Sequence, residues 1–173
     1  MWIFVYGSLM WDYNDIKEYI LSMKKATLVG FHRDFNKKST RNWGTKENPA
    51  PTLGLKRGGY CIGIAFEFED NDQEEVFNIL NEREGRHFTY PQKEIQVEGN
   101  GEIEAFLPYN KRDKSFIGKK SIKRRVEMCL MARGTNGNGV EYIRNTRTKL
   151  IELKIVDNDV ETFWSLLEKH QKD

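Results

Sequence analysis

Cysteine is nearly absent from this chain, with only Cys61 and Cys129 among 173 residues. Two thiols make no disulfide framework. Both lie in apolar stretches and are expected to be reduced, buried packing residues of a cytoplasmic protein. Histidine is scarce too. His32, His87 and His170 are scattered, with no His or Cys partner at ligand spacing, so no metal centre is expected. No apolar run approaches the length of a membrane span, and no cleavable leader is expected at the amino terminus. Walker and dinucleotide glycine spacings are both missing. Charged residues make up 31%, yet the net charge is only +2, so the overall field argues for neither nucleic acid nor an acidic membrane as partner.

What is present suits one globular domain over residues 1–173, with 38% hydrophobic and 12% aromatic residues. Trp2 to Tyr6 reads as a buried strand, and a short helix is possible from Trp11 to Lys25 on the spacing of Ile16, Tyr19, Ile20 and Met23. Alternation from Lys25 to Ser39 predicts a strand with Thr27, Val29, Phe31, Arg33 and Phe35 on one face. Residues 39–51 are a loop of turn formers. Strands follow at Thr52–Lys56 and Tyr60–Glu69, with Arg57-Gly58-Gly59 read as a tight hairpin. Cys61, Gly63 and Ala65 leave one face of the second strand small enough to admit a neighbouring element or a ligand.

Asp70-Asn71-Asp72 is expected to cap a helix ending near Arg83, with Gly85 as its stop. Strands at about 89–98 and 102–108 flank the hairpin signal Gly99-Asn100-Gly101. Lys111 to Arg125 carries eight Lys/Arg against one Asp and reads as a solvated loop running into a helix. Helices at about 120–132, 138–152 and 157–170 complete the chain. Strands first and helices last predict an α+β fold with a small, mixed, mainly antiparallel curved sheet or barrel. Nothing in the pattern fixes an oligomeric state.

The segment Tyr6-Gly7-Ser8-Leu9-Met10-Trp11 is the most informative. A glycine at a strand end lets the backbone approach a ligand closely. The N–H groups of Gly7, Ser8 and Leu9, with the Ser8 hydroxyl, would form a small anion-binding nest. An ordinary turn after a strand has the same composition, and Tyr6 is equally a core aromatic.

Several segments, in order, resemble the ChaC-type γ-glutamylcyclotransferases. Tyr6 to Trp11 resembles their substrate loop. Gly30-Phe31-His32-Arg33-Asp34-Phe35 is similar to a Gly-Tyr-x-Arg-x-Phe strand. Ser39-Thr40 with Gly44-Thr45 and Pro49 follows the outline of a Ser-Thr-Asp-His-Arg-Gly-Thr-Pro loop, and Cys61 to Phe66 resembles the next strand. Asn81 to Gly85 falls at an Arg-Glu pair, and Arg133-Gly134, Gly137 and Glu141-Tyr142 fit a later segment. The resemblance spans about residues 2–145. Arg41-Asn42-Trp43 departs from it where glutathione-specific members carry Asp-His-Arg, and Val5 replaces a small residue.

The resemblance implies a γ-glutamylcyclotransferase-like fold and cleavage of glutathione to 5-oxoproline and Cys-Gly, with no cofactor. The substrate's α-amine would attack its own γ-carbonyl while one carboxyl group shuttles the proton. Glu84 is the implied shuttle, with Glu82 its rival two residues away on another helix face. Read from the residues alone, Glu84 is a surface glutamate beside Arg83, Arg86 or Arg125. Tyr6, Gly7, Ser8, Leu9 and Tyr142 are implied substrate contacts, with Tyr90 a further candidate for which Phe88 competes. Arg33 would pair with a substrate carboxylate or brace the loop at Ser39-Thr40, whose hydroxyls cap that loop or touch substrate. Two alternatives remain: the same chemistry on other γ-glutamyl amines or amino acids, and a non-catalytic module binding a small anion or a partner.

Overall fold

The structure is a computed structural model that describes residues 1–84, 88–110 and 113–172, less the side chains of residues 84, 88, 110, 113 and 172. Within the stretch read as one domain, the chain forms two compact units. The first comprises Met1–His32 and Arg57–Arg112; the second comprises Arg33–Lys56 and Asp113–Asp173. Two 18-residue strands, β2 (Ser22–Ser39) and β3 (Ala50–Glu67), contribute to both.

The first unit is built on a closed barrel of strand order β1-β3-β2-β5-β6. β1 (Trp2–Val5) lies antiparallel to β3, from Trp2↔Glu67 to Val5↔Ile64, and meets β6 (Gly101–Phe106) in parallel at Ile3↔Phe106. Strand β5 (Gln92–Val97) alternates as the pleat requires, with Ile95 and Val97 buried between exposed polar neighbours. The expected hairpin to β6 is present, with Gly99 and Gly101 at φ 79° and 76°. β4 (Phe88–Thr89) and β7 (Tyr109–Asn110) form a separate two-stranded sheet. Helix α1 (Gln73–Glu84) follows a 3₁₀ turn over Asp70–Asp72 and buries Val76 and Leu80. Gly85, the expected stop, lies outside the described residues.

The small face of β3 has a steric cause. A Cβ on Gly63 would collide with the Val5 carbonyl and press on the Phe4 ring, so β1 takes the room that the glycine leaves.

Three local expectations need correction. The Gly58-Gly59 pair does not close a hairpin; both residues have positive φ (104° and 65°) inside the continuous β3. Glycine supplies the same backbone freedom to a mid-strand irregularity as to a turn, and composition does not separate the two. The alternation in β2 also changes parity. Ala26 and Leu28 are buried, Val29 is 68% exposed, and Arg33 and Phe35 are buried again, with Gly30 at φ 86° between the two registers. The possible helix over 11–25 is only a 3₁₀ segment, Asn14–Tyr19. Of its stripe Ile16 alone is fully buried, and the chain enters β2 at Ser22.

The second unit packs α2 (Ile122–Met131), α3 (Gly139–Glu152) and α4 (Asn158–Lys172) with the remaining parts of β2 and β3. All three helices begin within two residues of the expected positions, and their caps explain why. Ser121 accepts from the Arg124 N–H at 3.2 Å, Asn138 and Glu141 form a reciprocal capping box, and Asp157 accepts from the Val160 N–H at 3.1 Å. Phe35 and Phe163 meet with ring centroids 4.3 Å apart. Both cysteines are buried. The basic 111–125 segment is not all solvated: Arg125 is buried, donating to Asp34 at 2.6 Å and to the Phe35 carbonyl at 3.0 Å.

Candidate functional site

In the first unit, β1 ends at Val5 and the chain turns at Gly7 into a single 3₁₀ turn, Ser8–Met10. Met10 donates its N–H to the Gly7 carbonyl at 2.9 Å, and Trp11 and Asp12 both donate to Ser8, at 3.0 and 2.9 Å. The N–H groups of Ser8 and Leu9 therefore precede the turn's own hydrogen bonding, where a helical start leaves donors for other acceptors. The buried side chains of Leu9 and Met10 anchor the turn, so Leu9 offers a ligand its backbone rather than its side chain. Tyr6 is half-buried, stacks near Phe4 with centroids 6.5 Å apart, and donates its hydroxyl to the Pro108 carbonyl at 3.4 Å.

Helix α1 comes to this turn by a specific tie. Arg83 donates to both the carbonyl and the carboxylate of Asp12; the carboxylate contact is 2.9 Å, and Asp15 lies 3.9 Å away. Asp12 is also the residue whose N–H bonds to Ser8. Only two residues, Arg83 and Asp12, thus separate the backbone of Glu84 from that of Ser8. The side chain of Glu84 lies outside the described residues, as does Arg86. Glu82, the rival carboxylate, is exposed.

The same helix carries Phe77 and Asn81 four residues apart, which places them along one face. Tyr90 covers both. Its ring lies flat on Phe77, with centroids 4.4 Å apart and planes within 8°, and its hydroxyl donates to Asn81 at 3.1 Å. Phe77 also meets Phe106 edge-on at 5.1 Å. Since Tyr6 bonds to Pro108, the end of β6 brings Tyr6, Tyr90 and α1 into one neighbourhood.

The second unit holds the remaining sequence-derived candidates. Arg33 has no exposed surface, and its guanidinium donates to Asp157 at 2.9 Å. A protein carboxylate thus stands where the expectation put a substrate carboxylate. Ser39 caps its loop, accepting from the Trp43 N–H at 3.2 Å, while Thr40 is exposed. Tyr142 is buried at 3% exposure; its hydroxyl accepts from the Leu53 N–H at 3.1 Å and its ring meets Trp43 edge-on at 5.4 Å. Its phenol is thus part of the packing between α3 and β3.

Two of the motif segments meet directly in this unit. Thr135 and Asn136 donate their N–H groups to the carbonyls of Arg41 and Asn42, at 2.9 and 2.8 Å. A Cβ on Gly134 would strike the backbone of Asn42 and Gly44, and one on Gly137 would strike Glu141 and Trp43. These glycines are required by close approach of the 39–50 loop. No spacing rule pairs residues 71 apart, so the tie between Arg83 and Asp12 leaves no signal in the sequence.

Among the described residues, no three His, Cys, Asp or Glu side chains are grouped to hold a metal ion, and no helix is long and apolar enough to cross a membrane.

The family model of the ChaC-like protein matches residues 1–172. A glutathione-specific gamma-glutamylcyclotransferase of Escherichia coli (strain K12) is 40% identical over 84 residues, which is 49% of this chain and 35% of that protein's length. The gamma-glutamylcyclotransferase 2-3 of Arabidopsis thaliana is 25% identical over 173 residues, covering 92% of this chain and 84% of that protein. A crystal structure of the yeast cyclotransferase specific to glutathione superposes with a TM-score of 0.88 over 98% of this chain and 96% of that one, at 18% identity. That likeness bears out the expected α+β fold.

Proposed function

The chain belongs to the ChaC-like family, and from that premise we propose that it is a γ-glutamylcyclotransferase cleaving glutathione to 5-oxoproline and Cys-Gly. The observation carrying this reading is the tie of Arg83 to Asp12, which joins the last turn of α1 to the turn after β1. It brings the backbone of Glu84, the proposed proton shuttle, next in the chain to a residue bound to the donor-bearing turn.

The reaction needs no external nucleophile. The α-amine of the γ-glutamyl group, once neutral, attacks the γ-carbonyl carbon and forms a five-membered ring. The Glu84 carboxylate takes the proton that the nitrogen sheds. The bond to the cysteinyl nitrogen then breaks, and the protonated Glu84 returns the proton to that leaving nitrogen. Atoms balance without water. Because the nucleophile is tethered, holding the substrate folded supplies much of the rate.

The Ser8 and Leu9 amides with the Ser8 hydroxyl hold the substrate's α-carboxylate, with Gly7 admitting it to the backbone. Tyr6 and Tyr90 line the same neighbourhood. Arg33, Ser39 and Tyr142 shape the second unit rather than touch substrate. The two buried cysteines, Cys61 and Cys129, suit a cytoplasmic setting.

The test is Glu84→Gln, which keeps shape and removes the proton acceptor. Release of 5-oxoproline from glutathione, followed by mass spectrometry, should fall by at least about 100-fold. Release at the wild-type rate refutes the role. Arg41-Asn42-Trp43 favours a second reading, in which other γ-glutamyl amines are the substrate, because it departs from the Asp-His-Arg of the glutathione-specific pattern that the chain otherwise resembles. The wild type turned over against γ-glutamyl amino acids decides between them.

A further inference from the structure

We infer that Arg83 is a positioning residue for the cyclisation, a clamp that fixes the distance between the Glu84 backbone and the Ser8–Met10 turn. The inference rests on the reading of Glu84 as the proton shuttle. Its grounds are geometric. Arg83 retains only 12% of its side-chain exposure, although it stands in the last turn of a helix, where an arginine commonly reaches solvent. Its two terminal nitrogens divide between a carbonyl and a carboxylate of the same residue, Asp12, and a second carboxylate, Asp15, lies at 3.9 Å. A planar fork held at two points fixes direction as well as distance, which a lysine ammonium does not.

Asp12 in turn is locked to the turn, since its N–H donates to Ser8 at 2.9 Å. Any displacement of the end of α1 must therefore stretch this fork or drag the donor-bearing turn along. Asn81, one turn earlier, is held by the Tyr90 hydroxyl at 3.1 Å, so the last turn of the helix is restrained on both sides. Two restraints at a helix terminus, where fraying is the ordinary behaviour, are what precise placement of a proton-transfer group demands.

A clamp of this kind acts on the chemical step more than on binding. Arg83→Met should lower kcat by about 10–100-fold, the scale set by a misplacement of about 1 Å, while KM changes less than about threefold. Arg83→Lys should fall between, keeping the charge and losing the fork. Asp12→Asn should cost less than Arg83→Met, because the Asp12 carbonyl contact survives. The double variant Arg83→Met/Asp12→Asn should match Arg83→Met alone, since both changes break one link.

The kinetic constants are to be normalised to the folded fraction from a urea titration, so loss of stability does not pass for loss of rate. Should Arg83→Met fail to fold, Arg83→Lys and Asp12→Asn carry the comparison, because Asp12 is 39% exposed and Arg83→Lys preserves the ion pair. A rise in KM at unchanged kcat overturns the inference, as does a double variant whose losses multiply. An inactive Glu84→Gln beside an Arg83→Met of wild-type kcat sinks the clamp alone. A fully active Glu84→Gln sinks the proposed function itself.

Discussion

Replacing Asp157 by alanine removes two contacts at once from the second unit. One carboxylate oxygen accepts from the Arg33 guanidinium at 2.9 Å, and the other accepts from the Val160 N–H at 3.1 Å, at the start of α4. Arg33 has no exposed surface and the Asp157 side chain is only 11% exposed, so water cannot take over as partner without opening the packing. Breaking a buried pair from one side costs about 3–5 kcal/mol, and losing a helix cap adds about 1 kcal/mol. Taking about 5 kcal/mol in all, at roughly 2–4 °C per kcal/mol for a chain of this size, the melting temperature should fall by about 10–20 °C. Asp157→Asn keeps the cap acceptor and should lose less. The double change Arg33→Met/Asp157→Leu should lose least, because it removes both charges of the buried pair together. Circular dichroism melts and urea titrations of the three variants check the order. An Asp157→Ala protein melting within about 3 °C of wild type, or a double variant less stable than it, refutes the reasoning.

Two other outcomes follow from particular contacts. Gly63→Ala should destabilise by about 2–3 kcal/mol, because the added Cβ has no room beside the Val5 carbonyl; an unchanged urea midpoint would show that β1 shifts freely. Burial pushes the Cys129 thiol from 9.0 up to about 12, partly offset by Arg133. The unfolded thiol ionises first, so stability is full below about pH 9 and declines from there towards pH 12, with a slope approaching about 1.4 kcal/mol per pH unit. The urea midpoint of the wild type should therefore fall more steeply than that of Cys129→Ala between pH 8 and 11; parallel curves contradict the assignment.

The helices were the most legible part of the chain. Ser121, Asn138 and Asp157 announce their own starts through local bonds that a linear pattern records. The long strands were less so, because the freedom that Gly30, Gly58 and Gly59 provide looks alike in a turn and in the middle of a strand. At the site, the Tyr6 to Trp11 turn and the place of Glu84 in the last turn of α1 were readable as motifs. The fate of Arg33 was not. Its fork suits a ligand carboxylate and a protein carboxylate equally, and Asp157 stands 124 residues away. Arg83 escaped for the same reason: a partner fixed by folding leaves no trace in spacing.

The closed ring of strands carries a consequence for association between molecules. Within the barrel every strand has a neighbour on each flank, which shortens the border on which a passing chain could build amyloid-like ladders. The seam is narrow, however, with β1 and β6 joined in register only at Ile3↔Phe106. Prising that seam apart is the step by which heat or denaturant would turn a self-contained barrel into a sticky one.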